Sequence, residues 1–436
     1  MEEEAHPAAT AQTGWKHAGR PEDVLAHVPP GADLIVPIAN GEPVVLLDTL
    51  EAHYRELDGV RVHRMDPFRE RAYIRGECGD HLRHVDYYLG PGSRQAYWNG
   101  TCDLVPNNFS EMPKLLREST RCSLVLAAAS LPDRHGYFSL GTNADYTAAF
   151  IGEVPFFLEV NARMPHTFGQ NQVHVSQVAG WIRADRELQE LPVHQPDEAD
   201  RRIAGHIAER IRDGSCLQVG VGRTPGALPA ALRDHRDLGL HTEALSDGIM
   251  ELIQRGVITG TRKRHYRNKH VTTFCVGTRR LFDFLDENGS VALLPVDQVN
   301  HPMVIAREPN FVSINATTEV DLMGQCASET IAGRYYSSSG GQADFARGAM
   351  WSQGGQAFIV LKSTTSKGLG RIRTELTLGS VVTTIKNMVD NVVTEYGVAE
   401  LRGRSIAERA RRLIAIAHPE HRERLAFDAR RSGLLH

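Results

Sequence analysis

The sequence predicts an α/β fold with parallel strands in open sheets. Short apolar runs recur between polar or amphipathic segments, and Gly, Pro, Asn and Asp collect in the connections. The same alternation starts afresh after a polar, Pro-containing stretch at 183–200, which divides 436 residues into two large units. We read residues 1–22 as an extension, 23–199 as a first α/β domain and 200–436 as a second.

Residues 1–22 are acidic and Ala/Pro-rich without the apolar segment of a secretory signal, which predicts a disordered extension. In the first domain the apolar runs are 34–38, 43–47, 61–65, 124–128 and 156–160, while 78–104 yields no assignment. After the polar stretch, Ile203, Ile207 and Ile211 recur at helical spacing. The second domain is predicted to place strands at 216–219, 271–276, 311–314, 357–361 and 392–394, with a short strand closed by His241. Helices are predicted over 225–232, around 250–253 and through Ile406, Ala410 and Ile414. The basic segment 261–270 (TRKRHYRNKH) has only Tyr266 as an interleaved aromatic, so it reads as a solvated loop.

Lys and Arg total 49 against 53 Asp and Glu, a formal charge of −4 that supplies no global attraction to nucleic acid or an anionic membrane. Apolar stretches such as 123–130 fall far short of a bilayer span. The expectation is a soluble cytoplasmic protein with neither nucleic acid nor membrane as partner. The six cysteines lie far apart, with no CxxC and no zinc-type spacing, which predicts reduced thiols and no metal site. His166 and His174 alone make a poor metal pair.

Three segments could carry chemistry. The loop GVGRTPG at 220–226 follows a predicted strand and opens a predicted helix, and glycine amides at a helix start can hold a phosphate or an oxyanion. Its spacing is GxGxxxG, and Glu243 lies near where a dinucleotide fold keeps its ribose-binding acid, so a nicotinamide reading competes. The second segment, HTEALSDG at 241–248, puts Glu243 beyond the end of a strand, where open α/β sheets bind ligands; Asp247 reads as a helix cap. The third is SGGQADF at 339–345, where Gly340 and Gly341 permit unusual φ and expose their amides. Asn300 adds an amide side chain just before His301 and Pro302. GYFSLG at 136–141 is out of register with a GxSxG elbow, and neither a Walker loop nor HExxH occurs.

Taken together, these segments resemble the acetyl-CoA hydrolase/transferase family of glutamate-dependent CoA-transferases, and particularly its 4-hydroxybutyrate CoA-transferase branch. The resemblance runs from about residue 33 to 425 and is carried by IANGEP (38–43), HGYFSLG (135–141), GVG (220–222), HTE (241–243), SDG (246–248), NHP (300–302), GGQADFARG (340–348) and VTEYGVA (393–399). It implies two CoA-transferase-type (NagB/RpiA-like) domains with the active site at their interface. It also implies acyl-CoA and a small carboxylate as substrates, coenzyme A as the carried group, no metal or redox cofactor, and a homodimer.

By this resemblance Glu243 is the nucleophile. Asn300 and the Gly341 amide are oxyanion donors on the substrate side, and the Val221 amide is the donor on the glutamyl side. Gly220, Gly222 and Gly340 shape the binding loops. Lys367 and Arg371, in a chain with only seven lysines, are candidates for the CoA phosphates. The family covers transfer to a carboxylate and hydrolysis by water; a non-catalytic CoA- or nucleotide-binding protein is the alternative from another class.

Overall fold

The computed structural model describes residues 18–191 and 195–436, so the expectation for 1–22 falls almost wholly outside the described residues. Two open sheets organise the chain. The first has seven parallel strands in the spatial order Asp103–Leu104, Leu82–Asp86, Val60–Arg64, Asp33–Ile35, Leu124–Ala129, Phe156–Asn161 and Val178–Ala184. The second has six, in the order Gly239–Leu240, Cys216–Val219, Phe311–Ala316, Gln356–Val360, Asn391–Thr394 and Gly397–Glu400, and only the last is antiparallel to its neighbour.

Central parallel strands covered on both faces should be continuously apolar rather than alternating. Leu124–Ala129 (LVLAAA) meets that condition, with all six residues buried. Each fully buried Val or Leu side chain there stabilises the fold by about 1.5–3 kcal/mol. One apolar core runs from Ile35 in the first sheet to Val393 in the second.

Several local expectations are corrected. The apolar run at 43–47 begins a helix, Val44–Ala52, because Pro43 can precede a helix but cannot donate within a sheet. The stretch 78–104 contains the edge strand Asp103–Leu104, its neighbour Leu82–Asp86 and the helix Arg94–Asn99, concealed by the charges of LRHVD. The predicted strand 271–276 is broken into His270–Thr272 and Phe274–Cys275, which pair with different partners. Asp247 does not cap its own helix. Its carboxylate accepts from the Thr278 amide at 2.9 Å and from Thr278 Oγ1 at 2.5 Å, at the start of Arg279–Leu285. Nor is 261–270 wholly solvated: Lys263 is buried, and its Nζ donates to the Leu240 and Lys269 carbonyls at 2.7 and 3.0 Å.

The helix Glu198–Ala208 follows the polar stretch, as its spacing predicts. Asp197 and Asp200 exchange backbone-to-carboxylate bonds at its start, and Ile203 and Ile207 face the core. All six cysteines are free thiols. No helix among the described residues is long and apolar enough to cross a membrane, and no group of three His, Cys, Asp or Glu there is arranged for a metal ion.

Candidate active site

The carboxyl ends of strands from both sheets converge on one cavity of about 430 Å³. From the first sheet come Ala39 after Asp33–Ile35, Asp66 after Val60–Arg64 and Tyr88 after Leu82–Asp86. From the second come Gly220 and Val221 after Cys216–Val219, Glu243 after Gly239–Leu240, and Thr317 after Phe311–Ala316. Backbone groups at strand ends have run out of ladder partners, which is why such crevices bind ligands.

Glu243 is held first through its backbone. Its carbonyl accepts from Thr272 Oγ1 at 2.9 Å and from the amides of Thr273 and Phe274 at 3.1 and 3.2 Å. Its side chain meets Asn300, whose Nδ2 donates to Oε2 at 2.6 Å, and the Gly341 backbone approaches the same oxygen closely enough to favour the charged carboxylate. Burial pushes this carboxyl up to about 7, against the pull of those two neighbours. A Cβ at residue 341 would overlap both Glu243 Oε2 and Asn300 Nδ2, so only glycine admits this approach.

Asn300 is itself anchored. It ends the short helix Val296–Val299, and the carbonyl of Val299 accepts from His241 Nε2 at 2.7 Å. Burial drives the His241 ring down to about 3, so it is neutral, and the carbonyl partner requires the proton on Nε2. The residue two positions before Glu243 thus fixes the segment that presents Asn300. The Asn300 side chain is fully buried and its Oδ1 has no protein partner.

The remaining sequence-derived candidates divide by position. Gly220 and Val221 line the cavity; the Gly220 amide donates to the Ile314 carbonyl at 2.9 Å, and Val221 is 56% exposed. Gly340 also lines it, with φ +55°, and Gly222 turns the neighbouring loop with φ +140°. Lys367 is exposed in a turn near the end of the 362–371 loop, and Arg371 is half-buried with Nε unpaired; neither lines the cavity. The structure therefore gathers Glu243, Asn300, Gly341, Gly340, Gly220 and Val221, and leaves Lys367 and Arg371 apart.

Other residues of the cavity escaped the sequence reading. Ala39 and Asp66 line it with φ of +50° and +42°, left-handed conformations that cost a non-glycine residue roughly 1–2 kcal/mol each. Burial and the nearby Asp86 charge raise the Asp66 carboxyl to about 6. Tyr88 is pushed up to about 12 by burial, with the Asp66 and Glu243 charges adding to the shift. Arg94 donates from Nε to the Tyr336 carbonyl at 2.5 Å and lies over the Tyr336 ring at 3.4 Å, which joins residues 242 positions apart. The one sequence signal for these was the Gly-Pro-Gly turn at 90–92, which marks a loop after a strand.

Chemically, the arrangement is a half-buried carboxylate facing Asn300 and Gly341 in a cavity with mixed polar and apolar walls. It suits a nucleophile and the oxyanion that its attack creates.

The chain is similar to proteins already known. Residues 277–429 match the acetyl-CoA hydrolase/transferase C-terminal domain. The chain is 41% identical to a succinyl-CoA:cyclohexane-1-carboxylate CoA transferase from Geobacter metallireducens over 94% of each chain. It is 40% identical to a 4-hydroxybutyrate coenzyme A transferase from Clostridium kluyveri, covering 89% of this chain and 91% of that one. Among solved structures it is similar to RipA from Yersinia pestis, with a TM-score of 0.90 and 34% identity over 96% of this chain and 98% of the other. Two curated relatives of 40% and 41% identity, matched along nearly their whole length, settle its kinship: the chain belongs to the acetyl-CoA hydrolase/transferase family of CoA-transferases.

Proposed function

We propose that this protein is an acyl-CoA:carboxylate CoA-transferase that works by ping-pong chemistry on Glu243. The observation that carries this reading is the half-buried Glu243 carboxylate, held at 2.6 Å by the Asn300 amide and abutted by Gly341 in a cavity fed from both sheets. Glu243 attacks the thioester carbonyl; the C–S bond breaks, CoA leaves as thiolate, and a glutamyl–acyl anhydride remains. The thiolate then attacks the glutamyl carbonyl, which releases the first carboxylate and leaves a glutamyl-CoA thioester. An acceptor carboxylate, such as acetate or 4-hydroxybutyrate, reverses the two steps.

Each attack passes through a tetrahedral oxyanion. The Asn300 Nδ2 and Gly341 N–H groups serve the substrate carbonyl once the carboxylate turns to attack, and the Val221 amide serves the glutamyl carbonyl. The segments 23–199 and 200–436 act as two NagB/RpiA-like domains with this cavity at their interface, in a cytoplasmic homodimer that needs neither metal nor redox cofactor. Gly220, Gly222 and Gly340 leave room for CoA, whose phosphates reach toward Lys367 and Arg371.

Intact-protein mass after exposure to short acyl-CoAs without acceptor tests the reading against Glu243→Gln. A CoA-sized adduct on the wild type alone, discharged by added acetate, is the expected result. An adduct lost without any carboxylate makes the protein a hydrolase through the same glutamate. No adduct with any of acetyl-, propionyl-, butyryl- or succinyl-CoA refutes the role of Glu243.

A further inference from the structure

The peptide unit between Gly340 and Gly341 is gripped from behind. Its carbonyl oxygen accepts from the Phe109 amide at 3.1 Å. A trans peptide is planar, so its N–H points the opposite way, and Gly341 lies so close to Glu243 that an added Cβ would overlap Oε2. Gly340 has φ +55° and no side chain, so the local chain does little to fix the rotation of this unit. Its orientation must come from what holds the carbonyl.

That holder is a short turn of the amino-terminal half, Phe109–Glu111, and the turn is itself clasped. Ser110 donates twice to one buried carboxylate: its amide to Asp344 Oδ2 at 3.0 Å and its Oγ to Asp344 Oδ1 at 2.8 Å. Asp344 lies in the first turn of the helix Gln342–Trp351, whose N-cap is Gly341. Three bonds therefore close a loop from the donor peptide, through residues 109 and 110, back to the helix that begins at the donor. Neither Ser110 nor Asp344 lines the cavity.

We propose that Ser110 and Asp344 are positioning residues that aim the Gly341 N–H at the reacting oxygen. The inference rests on the transferase reading above. An oxyanion donor acts in the transition state, so misdirecting it lowers kcat and kcat/KM together and leaves KM for acyl-CoA nearly unchanged. A displaced catalytic donor costs about 10–100-fold in rate.

The test uses the full chain with the best donor from a panel of acetyl-, propionyl-, butyryl- and succinyl-CoA, and acetate or propionate as acceptor. Ser110→Ala, Asp344→Asn and Ser110→Thr are compared with Ser352→Ala. Ser352 is a buried serine at the far end of the same helix, bonded to the Glu308 carbonyl at 2.6 Å and the Phe311 amide at 3.2 Å. Expected is a loss of about tenfold or more in kcat for Ser110→Ala and Asp344→Asn at constant KM, recovery in Ser110→Thr, and wild-type kcat for Ser352→Ala. Wild-type kcat in both Ser110→Ala and Asp344→Asn overturns the inference while leaving the transferase reading intact. An equal loss in Ser352→Ala also overturns it, since loosening of the helix then explains the effect. No turnover by the wild type with any donor overturns the transferase reading, and the inference with it.

Discussion

Replacing Glu243 by Gln should abolish turnover and stabilise the fold in a manner that depends on pH. Burial holds this carboxyl at about 7, against an ordinary glutamate value of 4.5. Each pH unit of displacement is worth about 1.4 kcal/mol, so ionised Glu243 costs the folded chain roughly 3 kcal/mol. The sign follows from proton counting. Between pH 4.5 and about 7 the folded state binds more protons at this site than the unfolded state, so the wild type loses stability relative to the variant as pH rises through that window. Below pH 4.5 the difference should vanish, and above pH 7 it should level off.

The variant can keep both donors, because Asn300 Nδ2 bonds Oε2 and the Gly341 corner abuts that same oxygen. A glutamine carbonyl placed there accepts from both. Urea denaturation of wild type and Glu243→Gln at pH values from 4 to 8.5 measures the difference; Asp344, whose carboxyl burial and the Glu243 charge raise to about 7, adds to it with the same sign. A stability difference that does not change with pH, or one that favours the wild type at pH 8, would refute the claim that burial suppresses ionisation of this nucleophile.

Because only the carboxylate attacks, the rate of CoA adduct formation should climb through about pH 7, and mass spectrometry of quenched samples between pH 5.5 and 8.5 checks it. Asn300→Ala should lower kcat by about 10²–10³-fold, measured by steady-state kinetics. Gly341→Ala should be at least as severe, since its Cβ would overlap Glu243 and Asn300. Glu42→Ala strands the fully buried Arg64, which bonds the Glu42 carboxylate at 3.1 Å, while Arg71 keeps Asp48 and Glu51; it should cost about 3–5 kcal/mol in chemical denaturation.

The sequence by itself determined the α/β class, most strands of the second sheet and the segments 220–226, 241–248 and 339–345, which supply Gly220, Glu243 and Gly341, with Asn300 noted beside them. Those features are local. A run such as LVLAAA is apolar because both faces of its strand are buried, and a glycine pair before a helix signals an accessible amide whatever lies across from it. Strands disguised by charge, such as LRHVD, were not legible, since His84 and Asp86 read as solvent-facing until the neighbours that bury them are known. Asp66, Tyr88 and Asp344 gave no signal, because their neighbours are tens or hundreds of residues away in the chain. Only the tertiary structure decided that Phe109 grips the Gly340 carbonyl and that Ser110 meets Asp344, 234 positions on. The physical reason is that periodicity and turn chemistry encode short-range geometry, whereas the aim of a donor and the ionisation of a buried carboxyl depend on which distant groups are packed around them.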